Sequence, residues 1–167
     1  IGDHASYIAH IANVMHDDHT DFSQEAWDEL NVVMEAVRDA GRDVLLEEKR
    51  LPGNDVEREK CYQDFLKYVG TETALFFSAD INAAEMISFL HRNKAKIPEE
   101  ISVAGMDDDV FATIVYPRLT TIRVDVGEKA ETAVDVLMKL IHGEKCEKNV
   151  YMTGVQLVER ESVKIKP

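Results

Sequence analysis

Apolar runs rich in β-branched residues alternate along this chain with segments whose apolar positions recur at helical spacing. Ile11 to Met15 reads as a strand, and Ser23 to Ala40 as a helix carrying Leu30, Val33, Met34 and Val37 on one stripe, ended by Gly41. Asp43 to Glu47 reads as a second strand. Pro52-Gly53 then turns the chain, and Asn54 with Glu57 three residues on predicts a capped helix start. That helix carries Tyr62, Phe65, Leu66 and Val69 and closes at Gly70. Ala74 to Ser78 is a continuous apolar run, as expected of a strand buried on both faces. Asp80 is placed to cap the next helix, whose stripe is Ala83, Ile87 and Leu90. Ile101 to Met106 and Leu119 to Val124 are further strands. Gly127 to His142 is a strongly amphipathic helix, with Ala130, Ala133, Val134, Leu137, Leu140 and Ile141 forming a broad apolar face. Val150 to Leu157 is a last strand before a polar tail.

Strand and helix alternate with short connections, which predicts an α/β fold: a parallel sheet flanked by helices on both faces. Ligands of such sheets bind outside the carboxyl ends of the strands. The loops after Met15, Ser78 and Met106 are therefore the ones to watch.

The chain's 167 residues suffice for one well-cored domain. No apolar run nears the roughly 20 residues that cross a bilayer, so no membrane association is expected. The opening Ile1-Gly2-Asp3-His4 has neither an initiator Met nor the features of a secretory signal, so a fragment of a longer, cytoplasmic protein is expected. Cys61 and Cys146, far apart, fit reduced thiols. The net charge of −13 repels phosphate backbones, so any DNA binding must come from another segment.

Catalysis finds no support: there is no nucleophile elbow, no phosphate-binding glycine loop and no dinucleotide fingerprint. His16-Asp17-Asp18-His19 holds metal-ligand types, but adjacent residues seldom converge on one ion, and a solvated polar loop is the expectation. Asp107-Asp108-Asp109 lacks the alternating ligands and central glycine of a calcium loop. No metal and no cofactor is expected. Trp27 and Phe22 flank the first helix start and could stack on a sugar ring, or equally serve as a staple or surface aromatics.

From Thr73 to Ser162 the chain resembles the sensor domain of the lactose/galactose-repressor family of transcription regulators. IPEEISVAGMDDDVFATIVYPRLTTI, from Ile97 to Ile122, follows the family order I-P-E-x-I-S-V-x-G-x-D-D and then P-x-L-T-T-I. TALFFSADINAA, GEKAETAVDVLMKLIHGE and the closing QLVERES match further blocks in the right order. The resemblance implies one lobe of a periplasmic-binding-protein-like fold plus a returning tail. Residues 1–10 are unassigned, 11–124 form the lobe, 125–145 the crossover helix that packs on a first lobe, and 146–167 the return. It implies a small effector, a carbohydrate or related molecule, with DNA reached only through an N-terminal domain beyond this chain, and a homodimer. The apolar face from Gly127 to His142 is expected to be covered, by folding back or by a second copy.

Three family positions contact sugar hydroxyls. The family's Arg falls here on Glu29, its Asn on Ala79 and its Asp on Asp107. Replacing a guanidinium by a carboxylate inverts the hydrogen-bond demand and argues against an anionic effector. Asp107 is the expected polar contact, and Asp80 the expected helix cap. The alternatives are a transport-type periplasmic sugar-binding protein, disfavoured by the L-T-T and V-x-R-x-S blocks, and an enzyme on the same kind of sheet.

Overall fold

In a computed structural model the described residues are 7–14, 44–71, 73–146, 151 and 153–164. Two expected features, the helix at 23–40 and the cluster His16 to His19, lie outside them. Six strands form one sheet: β1 (Tyr7–Val14), β2 (Val44–Leu51), β3 (Thr73–Phe77), β4 (Ser102–Asp107), β5 (Thr120–Val124) and β6 (Val155–Val158). Their spatial order is β2-β1-β3-β4-β5-β6, parallel throughout except that β6 runs antiparallel to β5. The first strand begins at Tyr7, ahead of the expected Ile11, because Tyr7 and Ile8 already pair with Val44 and Leu45. The second extends to Leu51 for the same reason.

Among the described residues four α-helices connect them: α1 (Asp55–Phe65), α2 (Asp80–Arg92), α3 (Val110–Ile114) and α4 (Val126–Ile141). Among the described residues no helix is long and apolar enough to cross a membrane. Asn54 starts α1 as its sequence predicts. Its side chain accepts from the Val56 and Glu57 amides at 2.9 and 3.3 Å. Leu66–Tyr68 tighten into a single 3-10 turn, and Gly70 follows with φ +81°. The crossovers β2→β3, β3→β4 and β4→β5 all step in one direction. Right-handed connections therefore place α1, α2 and α3 on one face of the sheet. Beneath them lies the core, in which Phe65, Phe77, Met86, Phe89, Leu90, Val103 and Leu119 are fully buried. Tyr62 and Phe89, from α1 and α2, meet at 5.6 Å between ring centroids.

Burial along β3 alternates: Thr73, Leu75 and Phe77 face the core, whereas Ala74 is exposed and Phe76 half-buried. The continuous apolar run thus overstates the cover on the second face. Of the two covers expected for the last helix, folding back is not seen among the described residues. No residue of α4 is buried, and Val134, Leu137, Leu140 and Ile141 are each more than half exposed. None of the described residues folds back over this face.

The tail returns to the opposite end of the sheet from the carboxyl edge. The Val103 amide donates to the Ser162 carbonyl at 2.9 Å, so the tail occupies the slot beside β4 that β5 has not yet entered.

Candidate functional site

The order doubles back between β1 and β3, and the carboxyl ends of the strands form the edge where such sheets take ligands. Two candidate positions stand there. Asp107 ends β4 as an exposed residue, and Ala79 precedes α2 in extended backbone with no side-chain capping bond. Glu29, Trp27 and Phe22 lie outside the described residues.

The three successive aspartates have different partners. Asp107 (φ +109°) and Asp108 (φ +53°) occupy the left-handed region that non-glycine residues rarely enter. This twist sends the three side chains apart. Asp107 faces outward, and partial burial pushes its carboxyl above the ordinary value, with repulsion from Asp109 adding and Lys129 opposing. Asp108 turns inward, its side chain 7% exposed. One oxygen accepts from Arg160 and the other from the Arg123 Nε at 2.6 Å. Burial works against its charge, but the hydrogen bonds from Arg160 and Arg123 outweigh it, and the carboxyl lies below its ordinary value. Asp109 caps α3 by accepting from the Phe111 amide at 2.8 Å. Three ligands converging on one cation is not the arrangement seen. Among the described residues no cluster of His, Cys, Asp or Glu could hold a metal ion.

Asp80 does not cap its helix as expected. It is the first residue of α2, fully buried, and its carboxylate accepts from Thr121 Oγ1 at 2.6 Å and from the Asp109 amide at 3.0 Å. Burial raises its pKa, the two hydrogen bonds lower it and nearby Asp109 and Asp107 raise it further, leaving it above the ordinary value. The close approach requires Gly105. A Cβ there would lie 2.2 Å from Asp80 Oδ1 and 2.9 Å from Leu119 Cδ2. Asp80 thereby locks the loop bearing Asp107 to β5, since Thr121 is the register partner of Gly105.

Sequence reasoning does not assign roles to Arg160 and Ser162, although both stand in the closing QLVERES block. The Ser162 hydroxyl, fully buried, accepts from the Thr120 amide at 2.8 Å and donates to the Val103 carbonyl at 2.6 Å. Arg160 donates from its amide to Thr120 Oγ1 and from its guanidinium to the Leu119 carbonyl and Asp108. An Arg and a Ser two residues apart after an exposed strand are the available signal, and its meaning depends on a contact 52 residues away.

On the helical face, α1, α2 and α3 border an open groove of about 570 Å³. Within it Arg58 donates to Glu85 at 3.1 Å, and Tyr62 donates to the same carboxylate at 3.0 Å. Burial and this carboxylate push the Tyr62 hydroxyl well above its ordinary pKa. Ile81 and Ile114 line the groove as exposed apolar side chains.

The family of periplasmic binding protein-like domains matches residues 3–163. Among curated relatives, the HTH-type transcriptional repressor PurR of Photobacterium profundum is 32% identical over 113 residues, 66% of this chain and 34% of its own. The HTH-type transcriptional regulator RegA of Clostridium saccharobutylicum is 25% identical over 144 residues, 84% of this chain and 43% of its own. The chain thus spans less than half the length of these relatives. In fold it is similar to a LacI family transcriptional regulator from Bifidobacterium animalis subsp. lactis (TM-score 0.75, 18% identity), covering 95% of this chain and 55% of that one. It is likewise similar to the periplasmic binding protein/LacI transcriptional regulator from Alkaliphilus metalliredigens, solved with D-xylulofuranose (TM-score 0.71, 23% identity), covering 96% and 58%.

Proposed function

The chain belongs to the family of periplasmic binding protein-like domains, in its lactose/galactose-repressor branch, and from that premise we propose that it is the effector-sensing part of a cytoplasmic transcription regulator. The observation that carries this reading is the match across residues 3–163 together with Asp107 standing exposed at the carboxyl edge of the sheet. Its effector is a carbohydrate or related small molecule whose hydroxyl donates to Asp107. Ala79 offers no side-chain hydrogen bond and leaves that side of the edge apolar. Glu29, Trp27 and Phe22 complete the expected contacts.

The reading is of a binding domain without catalysis. Among the described residues at this edge, the carboxylates of Asp80, Asp108 and Asp109 are taken up by arginines, backbone amides and a hydroxyl, which leaves Asp107 as the carboxylate offered to a ligand. Effector binding biases one arrangement of two lobes, and a DNA-binding head elsewhere in the protein reads the bias. Residues 125–145 then serve as the crossover helix. Their apolar face docks on the first lobe, which lies in the part of the relatives that this chain does not span. A homodimer belongs to the same reading, with the groove bordered by α1, α2 and α3 as its contact face.

Asp107→Ala in the intact regulator tests the reading. The variant should keep its fold and its affinity for operator DNA yet lose the change in that affinity produced by the inducing sugar. A normal response from it would exclude Asp107 as the ligand contact.

A further inference from the structure

The Asp108 side chain is 7% exposed and paired with two arginines. It is adjacent to Asp107 and shares the left-handed backbone twist. Its two oxygens divide between two arginines from different parts of the chain. Arg123 lies one residue before the end of β5, where the chain leaves for α4, and Arg160 lies two residues after β6, where it returns. The same two strands pair with each other, Arg123 opposite Gln156. The Arg160 side chain is only 13% exposed and its guanidinium also donates to the Leu119 carbonyl, while its backbone amide donates to Thr120 Oγ1, so the side chain leaves Asp108 only by giving up the Leu119 bond as well. Asp107 itself pairs in register with Arg123.

We propose that Asp108 is the positioning residue of the ligand edge. Gripped by Arg123 and Arg160, it fixes the backbone on which Asp107 stands and ties that backbone to the outgoing and returning strands that carry α4. The ladder joins Asp107 to Arg123 of β5 directly, and the Asp108 carboxylate passes a displacement of Asp107 by ligand on to the returning tail at Arg160 instead of leaving it to be absorbed by a soft loop. The loop offers little alternative. Asp109 is pinned on the other side by Asp80 and by its own cap of α3, so motion at Asp107 leaves the loop through Asp108 and its arginines. This inference rests on the reading of Asp107 as the ligand contact, but its test uses no ligand and fails or succeeds separately.

The perturbation is Asp107→Asn in the full chain, which changes the charge at the ligand edge and leaves the arginine grip intact. Amide chemical shifts and hydrogen exchange are read at residues 158–162, clear of Arg123 and Gln156, which the ladder joins directly to Asp107, with and without Asp108→Asn. In the native background Asp107→Asn should move these amides, and in the Asp108→Asn background the movement should fall by about half or more. Arg160→Met should weaken the transmission in the same way. Arg160→Lys, which keeps the charge and one donor, should restore part of it. A residue that merely stabilised the fold would instead lower protection throughout the core, including α2 and β3, and conservative replacement would not recover transmission selectively. Should Arg160→Met lose its fold, Arg123→Met, at an exposed side chain, gives the same reading. Movement at residues 158–162 that is equal with and without Asp108, or absent in the native background, would overturn the proposal.

Discussion

At the scale of residues, the structure separates side chains that the sequence presents as equivalent. Gly105 is the most constrained of them, because the place of its missing side chain is taken by the Asp80 carboxylate. Gly105→Ala should destabilise the chain by about 3 kcal/mol in urea denaturation, the upper range for forcing extra volume into a packed interior. Asp80 cannot retreat, since both oxygens are hydrogen-bonded and the residue is fully buried. Adding Asp80→Ala should therefore cost less in the Gly105→Ala chain than alone, and equal costs in both backgrounds would show that the two do not meet. Asp107 is legible in the sequence as a carboxylate at the carboxyl edge because its position follows from the strand that precedes it. Asp80 reads as a cap because capping is a local rule, whereas its partners Thr121 and Asp109 lie 41 and 29 residues away. The burial of Asp108 is hidden for the same reason.

At the scale of elements, hydrophobic periodicity places β3, β4, β5, α1, α2 and α4 within a few residues, is four or five residues off at one end of β1, β2 and β6, does not place α3, and misjudges what covers these elements. The Asn54 cap of α1 and the stripe of α2 follow the sequence closely, since Ala83, Ile87 and Leu90 are all buried. The face of α4 has the same pattern and no cover among the described residues. Periodicity reports that a helix has an apolar side, not where the partner of that side resides. Leu137→Gln with Ile141→Gln should accordingly leave the stability of this chain unchanged within about 0.5 kcal/mol, as for surface substitutions. In the intact regulator the same pair should lower stability by several times that amount, because there the proposed docking covers the face. Thermal unfolding of both forms makes the comparison, and equal losses in both would mean that this face never acquires a partner.

At the scale of the whole molecule, the proposed homodimer makes a claim on the groove between α1, α2 and α3. Of the charges there, Arg58 is paired with Glu85 and Arg92 with Glu59, with Asp55 at the rim, so two copies would meet through its apolar side chains in spite of a net charge of −13 each. Ile114→Glu should hold the protein monomeric in sedimentation at micromolar concentration, where the native form should sediment as a dimer. A native monomer, or a dimer indifferent to Ile114, would remove this face from the assembly. The lobe itself is not a continuous stretch of chain. Val124 and Val155 are register partners at the open end of an antiparallel pair, while Arg160 and Ser162 stitch the return beneath Thr120 and beside Val103. Everything from 125 to 154 is, in this sense, cargo spliced into a hairpin whose two legs belong to the sheet. Replacing that stretch by an Asn-Gly turn should yield a shorter lobe that still folds. Cutting the chain after Val124 should not, because the end of the sequence holds the clasp for what precedes it.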